Sequence, residues 1–438
     1  MKKSIFILIL IAVVLISGAA EMEYYFDKSI GKKGKSTGEF DYPVSVTRDS
    51  YGNIFVTDWK NSRVQKFSES GDFILEFGNS QAPKLNLPIG IALDNSNNVY
   101  VADYGNHRII KYDENGNLLI AAGKKGKESG EFRAPRGIWY DVVKERLFVA
   151  DYDNYRIQIL DQDLKVLSEI DCKDPDNNKR YPPRSVAVDY DGNVYAVMSS
   201  YNVIWKFNTE GKLVRKFGSK GNKPGEFDNP RYIAVDSLNN IYISDYNNDR
   251  IQIFNTDGVC KGYFGEKGSG LGHFNKPEGI FIDKEARILI VDAENHRIQV
   301  FNSTDIFKYR TLARYYTRIN DIEMANTYYN KIYEIDPLDI VAKKIVIDNL
   351  IVKLKTAVDD VKIEEIARQI LAIDSKEIES RKMLDKLEEK RLKLENKKKI
   401  RLIIVLLIIL IVVVILILVL KPQKGKKFSD KNIKIIIW

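Results

Sequence analysis

The stretch NVYVADYGNHRIIKYDENG, Asn98–Gly116, decides how this chain is read. Val99, Tyr100 and Val101 form a β-branched and aromatic run, which Asp103, Gly105 and Asn106 interrupt. Ile109–Tyr112 resume an extended pattern, and Asp113–Gly116 turn the chain again with residues that tolerate tight turns. Close copies begin at Asn53, Asn240 and Arg287, and more divergent ones near Arg146 and Asn193. The aspartate that ends the first run recurs as Asp58, Asp103, Asp151, Asp245 and Asp292, with Met198 in its place in the fourth copy. The copies repeat every ~45–48 residues, a period that points to a propeller or a solenoid.

The unit extends both ways. Upstream lie LPIGIALD to Asp94, APRGIWYD to Asp141, NPRYIAVD to Asp236 and KPEGIFID to Asp283. Downstream, another short strand ends at Phe77-Gly78, Phe217-Gly218 and Phe264-Gly265. Four short strands with tight turns are the content of one propeller blade, and there are six units. Asn106-His107-Arg108 and Asn295-His296-Arg297 stand where a characteristic tripeptide recurs in the NHL-repeat family, which residues 21–303 resemble. The resemblance implies an all-β six-bladed propeller and leaves the activity open.

Residues 1–20 place Lys2 and Lys3 before an apolar run, Ile5–Ile16, and end in small residues, the layout of a signal peptide or signal anchor. Tyr24–Ile30 precedes KKGKSTGEFDYP, a connector that recurs as KKGKESGEFRAP and SKGNKPGEFDNP after the last strand of other units. It therefore reads as the last strand of a blade whose other three strands come from the sixth unit, Lys276–Asn302. Such a strand closes the ring and removes its open edges.

The recurring Asp, Asn and Arg are expected to be structural ties between blades: Asp58, Asn61 and Arg63; Asp103, Asn106 and Arg108; Asp151, Asn154 and Arg156; Asp245, Asn248 and Arg250; Asp292, Asn295 and Arg297. Variation between blades is the better guide to ligands. After the proline opening the first strand stand Arg136, Arg184 and Arg231 in three consecutive blades, against Val44, Ile89 and Glu278 in the others. After the loop aspartate stand Trp59, Tyr104, Tyr152 and Tyr246. On the family's architecture these share one rim, a candidate site for carboxylate, phosphate or sulfate groups. The plainer alternative is that the aromatics fill loops and the arginines are solvated or pair with Asp153 or Glu294.

Other chemistry has little support. Of the three histidines, His107 and His296 hold the repeat's own tripeptide position and His273 lies in a connector. Metal-ligand spacing is absent, so no metal or cofactor is expected. Asp189-x-Asp191-Gly192 aligns with hairpin turns elsewhere and reads as a turn. Cys172 and Cys260 fall in blades that should not touch, so no disulfide is expected. The net charge of +8 comes from the chain ends, leaving the propeller near neutral, which disfavours nucleic acid.

After Asn302 the apolar period becomes helical. Tyr309, Leu312, Ala313, Tyr316, Ala325, Tyr329, Ile332 and Pro337 are spaced as in a tetratricopeptide repeat, which this segment resembles. A fainter copy lies at Ile363, Ala367, Ile370 and Asp374-Ser375, so helical hairpins are expected over 304–375. A generic helical stalk is the alternative. Residues 376–401 form a charged stalk, 402–420 an apolar stretch long enough to span a bilayer as one helix, and 421–438 a short basic tail.

The expectation is a membrane-anchored, single-pass binding or scaffold protein, with the propeller outside the cytoplasm and protein, peptide or glycan ligands on its face. A protein partner at the helical repeats is compatible with this. The alternatives are an enzyme, a lyase or hydrolase working in the central channel, and a scaffold facing the cytoplasm.

Overall fold

The structure, a computed structural model, describes residues 13–15, 23–80, 82–357, 360–374 and 378–419. It divides into two compact units, one up to Ala342 and one from Lys343. The first unit is built on six antiparallel sheets, the blades of a propeller. The first strands, Pro43–Arg48, Ile91–Leu93, Pro135–Asp141, Ser185–Val188, Pro230–Val235 and Pro277–Ile282, neighbour one another around a bore, the last meeting the first. Second strands such as Ile54–Asp58 and Val99–Asp103 are buried along their whole length, which is why they read as unbroken apolar runs. Fourth strands such as Phe73–Phe77 and Leu118–Ala122 lie at the exposed rim.

Apolar cores fill the gaps between successive blades. Phe55, Val64, Phe77 and Val101 pack between the first and second blades. Ile30, Phe40, Val56 and Val291 pack between the sixth and first. Each large side chain buried there contributes about 1.5–3 kcal/mol, so facing blades hold the ring together. Gly31 ends the last strand at φ +92°, and a Cβ there would run into the Phe40 ring of the next connector.

The ring closes through the N-terminal strand. Glu23–Ile30 pairs antiparallel with Arg297–Ser303 and supplies the fourth strand of the last blade. Tyr24 is fully buried against Phe264 and Phe307. Its hydroxyl shares a 2.8 Å hydrogen bond with that of Tyr242, which donates to Asp236 Oδ2 at 3.1 Å. Val13–Leu15 pairs along the outer edge of this strand, and the rest of the expected signal segment lies outside the described residues.

Pairs of left-handed residues join the blades. His107 sits at φ +57° and Ala134, before Pro135, at φ +56°, and the Ala134 N–H donates to His107 Nδ1 at 3.1 Å. Tyr42 donates to His296 Nδ1 at 3.2 Å across the closing junction. Leu87 uses Ser62, Asn229 uses Asn202 and Lys276 uses Asp249 in the same way. The residue before a proline is steered away from the α region, and its N–H needs a partner outside the sheet ladder.

Beyond Ser303 the chain is helical. Helices α1, Asp305–Arg318, and α2, Ile322–Ile335, form a hairpin, with Asp321 capping α2 through the Met324 N–H. Helix α1 docks on the propeller: Phe307 meets Tyr24, the Ser237 hydroxyl donates to the Thr311 carbonyl at 2.6 Å, and Arg318 donates to the Ser237 carbonyl. Helix α3, Ile340–Thr356, leads into the second unit, which continues with α4, Asp360–Ile373, and α5, Ile378–Val419. Its core holds Leu354, Ile366, Ala367 and Ile370.

The transmembrane helix expected over 402–420 is not supported: among the described residues, no helix is long and apolar enough to cross a membrane. Helix α5 does run unbroken from the charged segment into the apolar one, where Leu402 to Val414 are exposed. The side chains of 415–420 and the tail 421–438 lie outside the described residues.

The histidine links accept through an unprotonated Nδ1. Burial, then Lys125 for His107 and Lys33 for His296, lower both pKa values from 6.5. A histidine depressed on folding contributes its full stability above its unfolded pKa and loses it as pH falls through about 6.5 toward the folded value. The urea midpoint should therefore drop between about pH 7 and pH 5. His107→Asn with His296→Asn should flatten that drop, since asparagine already serves at Asn202. An unchanged slope in the double variant would exclude the link.

Candidate functional site

Two recurring polar sets must be separated from anything that binds. In the first, Asp58 Oδ1 accepts from the Asp41 N–H, and Oδ2 accepts from Asn61 Nδ2 at 2.8 Å and Arg63 Nε at 2.9 Å. Arg63 also donates to the Ser36 and Glu39 carbonyls of the connector. Asp103 with Asn106 and Arg108, Asp151 with Asn154 and Arg156, Asp245 with Asn248 and Arg250, and Asp292 with Asn295 and Arg297 repeat the pattern. The set pins each blade to the connector that enters it; the bond between blades is made by the histidine position described above. Gln65, Gln158, Gln252 and Gln299, missed in the sequence although each lies two residues after such an arginine, are buried and donate to the same connectors.

In the second set, aspartates at the far end of the first strands cap their own hairpins. Asp189 Oδ1 accepts from the Asp191 and Asn193 N–H groups, as Asp49 does from Tyr51 and Asn53, so Asp189-x-Asp191-Gly192 is a turn.

The residues after the opening prolines gather at one mouth of the bore. Val44 and Ile89 pack with Tyr232, bordered by Tyr42, Trp59 and Tyr104. Opposite them, Arg184 Nη2 donates to both oxygens of Glu278, at 3.2 and 3.0 Å. Arg184 is 7% exposed and Glu278 1%. Arg231 Nη1 stands 3.8 Å from the same carboxylate. The Tyr42 hydroxyl donates to Glu278 at 3.4 Å and shares a 2.7 Å bond with that of Tyr246. The Arg231 guanidinium lies 4.2 Å over the Tyr246 ring. Arg136 lies between two rings, 5.1 Å from Tyr104 and 4.2 Å from Tyr152. Trp59 packs on Tyr42 with ring centroids 5.6 Å apart.

The structure thus brings the seven candidate rim residues to one mouth. The partner of Arg184 and Arg231 is Glu278, in place of Asp153 or Glu294. Its signal was its register: it holds in the sixth blade the position that arginine holds in three others.

The electrostatics are unbalanced. Burial, then the neighbouring Arg184, lower the Arg136 pKa. For Arg184 burial is again the largest influence and acts downward, but Glu278, Tyr232 and Tyr42 together outweigh it and the net shift is upward. Burial, then Glu278, push the Tyr42 phenol far up, keeping it a neutral donor. The Nε atoms of Arg136, Arg184 and Arg231 and Nε1 of Trp59 are buried without a hydrogen-bond partner among the described residues.

Toward the other mouth the bore widens into a cavity of about 610 Å³, lined by Trp139, Asp141, Tyr190, Phe281, Lys284 and Tyr315 of α1, among others. Its lining reaches Ser45, Ser185 and Tyr232, and the arginines lie beyond it. The histidines do not converge: His273 Nε2 meets Glu266 at 2.9 Å in its connector, while His107 and His296 serve separate blade junctions. Among the described residues no cluster of His, Cys, Asp or Glu could hold a metal ion. Cys172 and Cys260 are free thiols, and burial raises both pKa values.

NHL repeats are found at residues 40–67 and 85–112, and a family described as a 6-bladed beta-propeller matches residues 237–378. No curated protein matches the sequence. Among solved structures, the chain is similar to virginiamycin B lyase from Staphylococcus aureus, at 15% identity and a TM-score of 0.47, covering 64% of this chain and 99% of that one. It is similar to a gluconolactonase from Xanthomonas campestris, at 12% identity and a TM-score of 0.47, covering 67% and 94%. It is also similar to an auxiliary nutrient binding protein from Bacteroides thetaiotaomicron, at 14% identity and a TM-score of 0.48, covering 64% and 73%. Propellers host unrelated activities, and these likenesses select none.

Removing Arg184 alone leaves Glu278 buried with its main partner gone, at a cost of about 3–5 kcal/mol. Arg184→Met should lower the urea midpoint accordingly, and adding Glu278→Gln should recover most of the loss. A double variant no more stable than the single would show that the pair is not the mouth's structural anchor.

Proposed function

We propose that the protein binds ligands at the arginine mouth of its propeller while held at a membrane, with the propeller outside the cytoplasm. The observation that carries the binding reading is the gathering of Arg136, Arg184 and Arg231 at one mouth that holds a single carboxylate, which pairs with Arg184, stands 3.8 Å from Arg231 and leaves Arg136 without an ion pair among the described residues. Guanidinium groups present a planar fork of donors that matches carboxylate, sulfate and phosphate oxygens. Tyr104, Tyr152 and Tyr246 hold two of these forks in place, so little side-chain freedom is lost on binding. The ligands are protein, peptide or glycan segments carrying such a group. The reading is of a binding protein, without catalysis, metal or cofactor.

Membrane attachment draws on different residues. Residues 402–420 carry no polar side chain and are flanked by Lys397–Arg401 and Lys421–Lys427. A run of exposed apolar side chains on α5 is unfavourable in water and marks a surface that meets lipid or another protein. Lys2 and Lys3 before Ile5–Ile16 support export of the propeller.

Protease treatment of intact cells, with tags on the propeller and the C terminus, tests the placement. Loss of the propeller tag with retention of the C-terminal tag is expected; a propeller cut only after lysis overturns it. Peptide and glycan arrays test the binding. Acidic ligands should be retained by the native chain and lost on Arg136→Gln with Arg231→Gln, which leaves the Arg184–Glu278 pair intact. Array binding unchanged in that variant would overturn the site.

A further inference from the structure

We propose that the arginine mouth takes a dianionic phosphoryl group, held by the free edges of Arg136 and Arg231. The inference rests on the binding reading above and narrows its ligand class. Charge bookkeeping is the first ground. The mouth holds three guanidiniums and the carboxylate of Glu278, and Arg184 and Glu278 neutralise each other through two hydrogen bonds. Arg231 lies at the edge of that pair, 3.8 Å away, and no carboxylate pairs with Arg136 among the described ion pairs. Tyr42, Tyr104, Tyr152, Tyr232 and Tyr246 add phenols to the mouth, and Glu294 acts on Tyr246 from the rim. The rim adds a further cation, Lys276, 5.2 Å over Tyr246, while Lys60 over Tyr42 is matched by Asp41. Three half-buried or buried guanidiniums against one carboxylate leave an excess of two positive charges among them. A carboxylate or a sulfate ester brings one negative charge and leaves one cation uncompensated; a phosphate monoester brings close to two near pH 7.

Donor geometry is the second ground. Among the described residues Arg136 makes no hydrogen bond or ion pair and Arg231 makes only the 3.8 Å approach to Glu278; their Nε atoms are buried, so the Nη atoms of each fork are the donors left for the oxygens of an anion. The tyrosine rings stacked on Arg136 and Arg231 fix the planes of both forks before a ligand arrives. Across the mouth, Val44 and Ile89 form an apolar wall with Trp59 beside it, suited to the organic part of an ester.

Isothermal titration of the purified full-length chain tests this with inorganic phosphate, glucose 6-phosphate, inorganic sulfate and acetate. Phosphate, glucose 6-phosphate and sulfate should bind at least tenfold more tightly than acetate. The affinity for phosphate and its ester should rise with pH through the second phosphate ionisation, near pH 6 for an ester, while that for sulfate stays level. Glucose 6-phosphate binding more tightly than phosphate identifies an ester ligand; the reverse identifies free phosphate, and either supports the phosphoryl site. Arg136→Gln and Arg136→Lys should each weaken phosphate binding tenfold or more without lowering the urea midpoint, the lysine because it keeps the charge and loses the fork. Equal affinity for acetate and phosphate would overturn the dianion while leaving the acidic-ligand reading standing. Phosphate binding unchanged in both Arg136 variants would place the ion elsewhere and overturn the site. Absence of binding by all four anions, with array ligands still retained, would overturn the phosphoryl inference alone.

Discussion

The pairing of Glu23–Ile30 with Arg297–Ser303 is the contact on which the rest of the molecule depends. It joins the two ends of the propeller, removes the open edge of the last blade and seats Tyr24 among Phe264, Phe307 and Tyr242. The first strands form a ring only when that blade is complete. The ring in turn brings Arg184 to Glu278, 94 residues later in the chain, and Tyr42 to Tyr246, 204 residues later. The mouth is therefore a product of closure. The same strand serves α1, because Phe307 packs on Tyr24, so the helical hairpin and the blade it leans on share one buried aromatic cluster.

The blades show how a repeat can be uniform in its scaffold and varied at its centre. Where the Asp–Asn–Arg–Gln set is present, Nε and Nη2 of the arginine and the glutamine amide find acceptors in the set's own aspartate and in the connector, so the set recurs from blade to blade. The fourth blade has Met198 in place of the aspartate and an irregular connector before it. There Asp174 accepts from the Asp176 N–H, Asn177 and Lys216, and a lysine and a carboxylate do the work done elsewhere by the arginine set. The link from Asn229 to Asn202 survives, which shows that the junction between blades and the anchoring of the connector are separable. Selection on the junction can be relaxed as far as any small acceptor that tolerates a left-handed backbone, hence Ser62, His107, Asn202, Asp249 and His296 at one position.

Legibility in the sequence tracks the range of the interactions involved. Strands, turns and blade count are local: Val99–Val101 and Asp113–Gly116 announce themselves within a few residues. Closure was legible because the connector after Ile30 repeats a segment that elsewhere comes after a fourth strand. The gathering of Arg136, Arg184 and Arg231 was legible because they share one register in a repeat. Which carboxylate meets them was not, because reach across a bore depends on side-chain direction, and Asp153 and Glu294 are closer along the chain to other arginines. The connector-binding glutamines went unread because a glutamine between two apolar residues looks like the solvent side of a strand, whereas both faces of these strands are buried. At the other end, composition suggested a spanning helix, whereas among the described residues no helix is long and apolar enough to cross a membrane.

The arginines at the mouth are harder to explain by stability than anything else in the propeller. The same position in the first two blades is filled by Val44 and Ile89, so the fold does not require a charge there. A buried ion pair such as Arg184–Glu278 rarely stabilises a protein more than well-packed apolar residues of similar volume would, and Arg136 has not even that compensation. Burying an uncompensated guanidinium opposes folding, and stacking on Tyr104 and Tyr152 offsets only part of that cost. Groups held this way are in the arrangement that favours binding, because the desolvation and the loss of side-chain freedom occur on folding, before any ligand arrives.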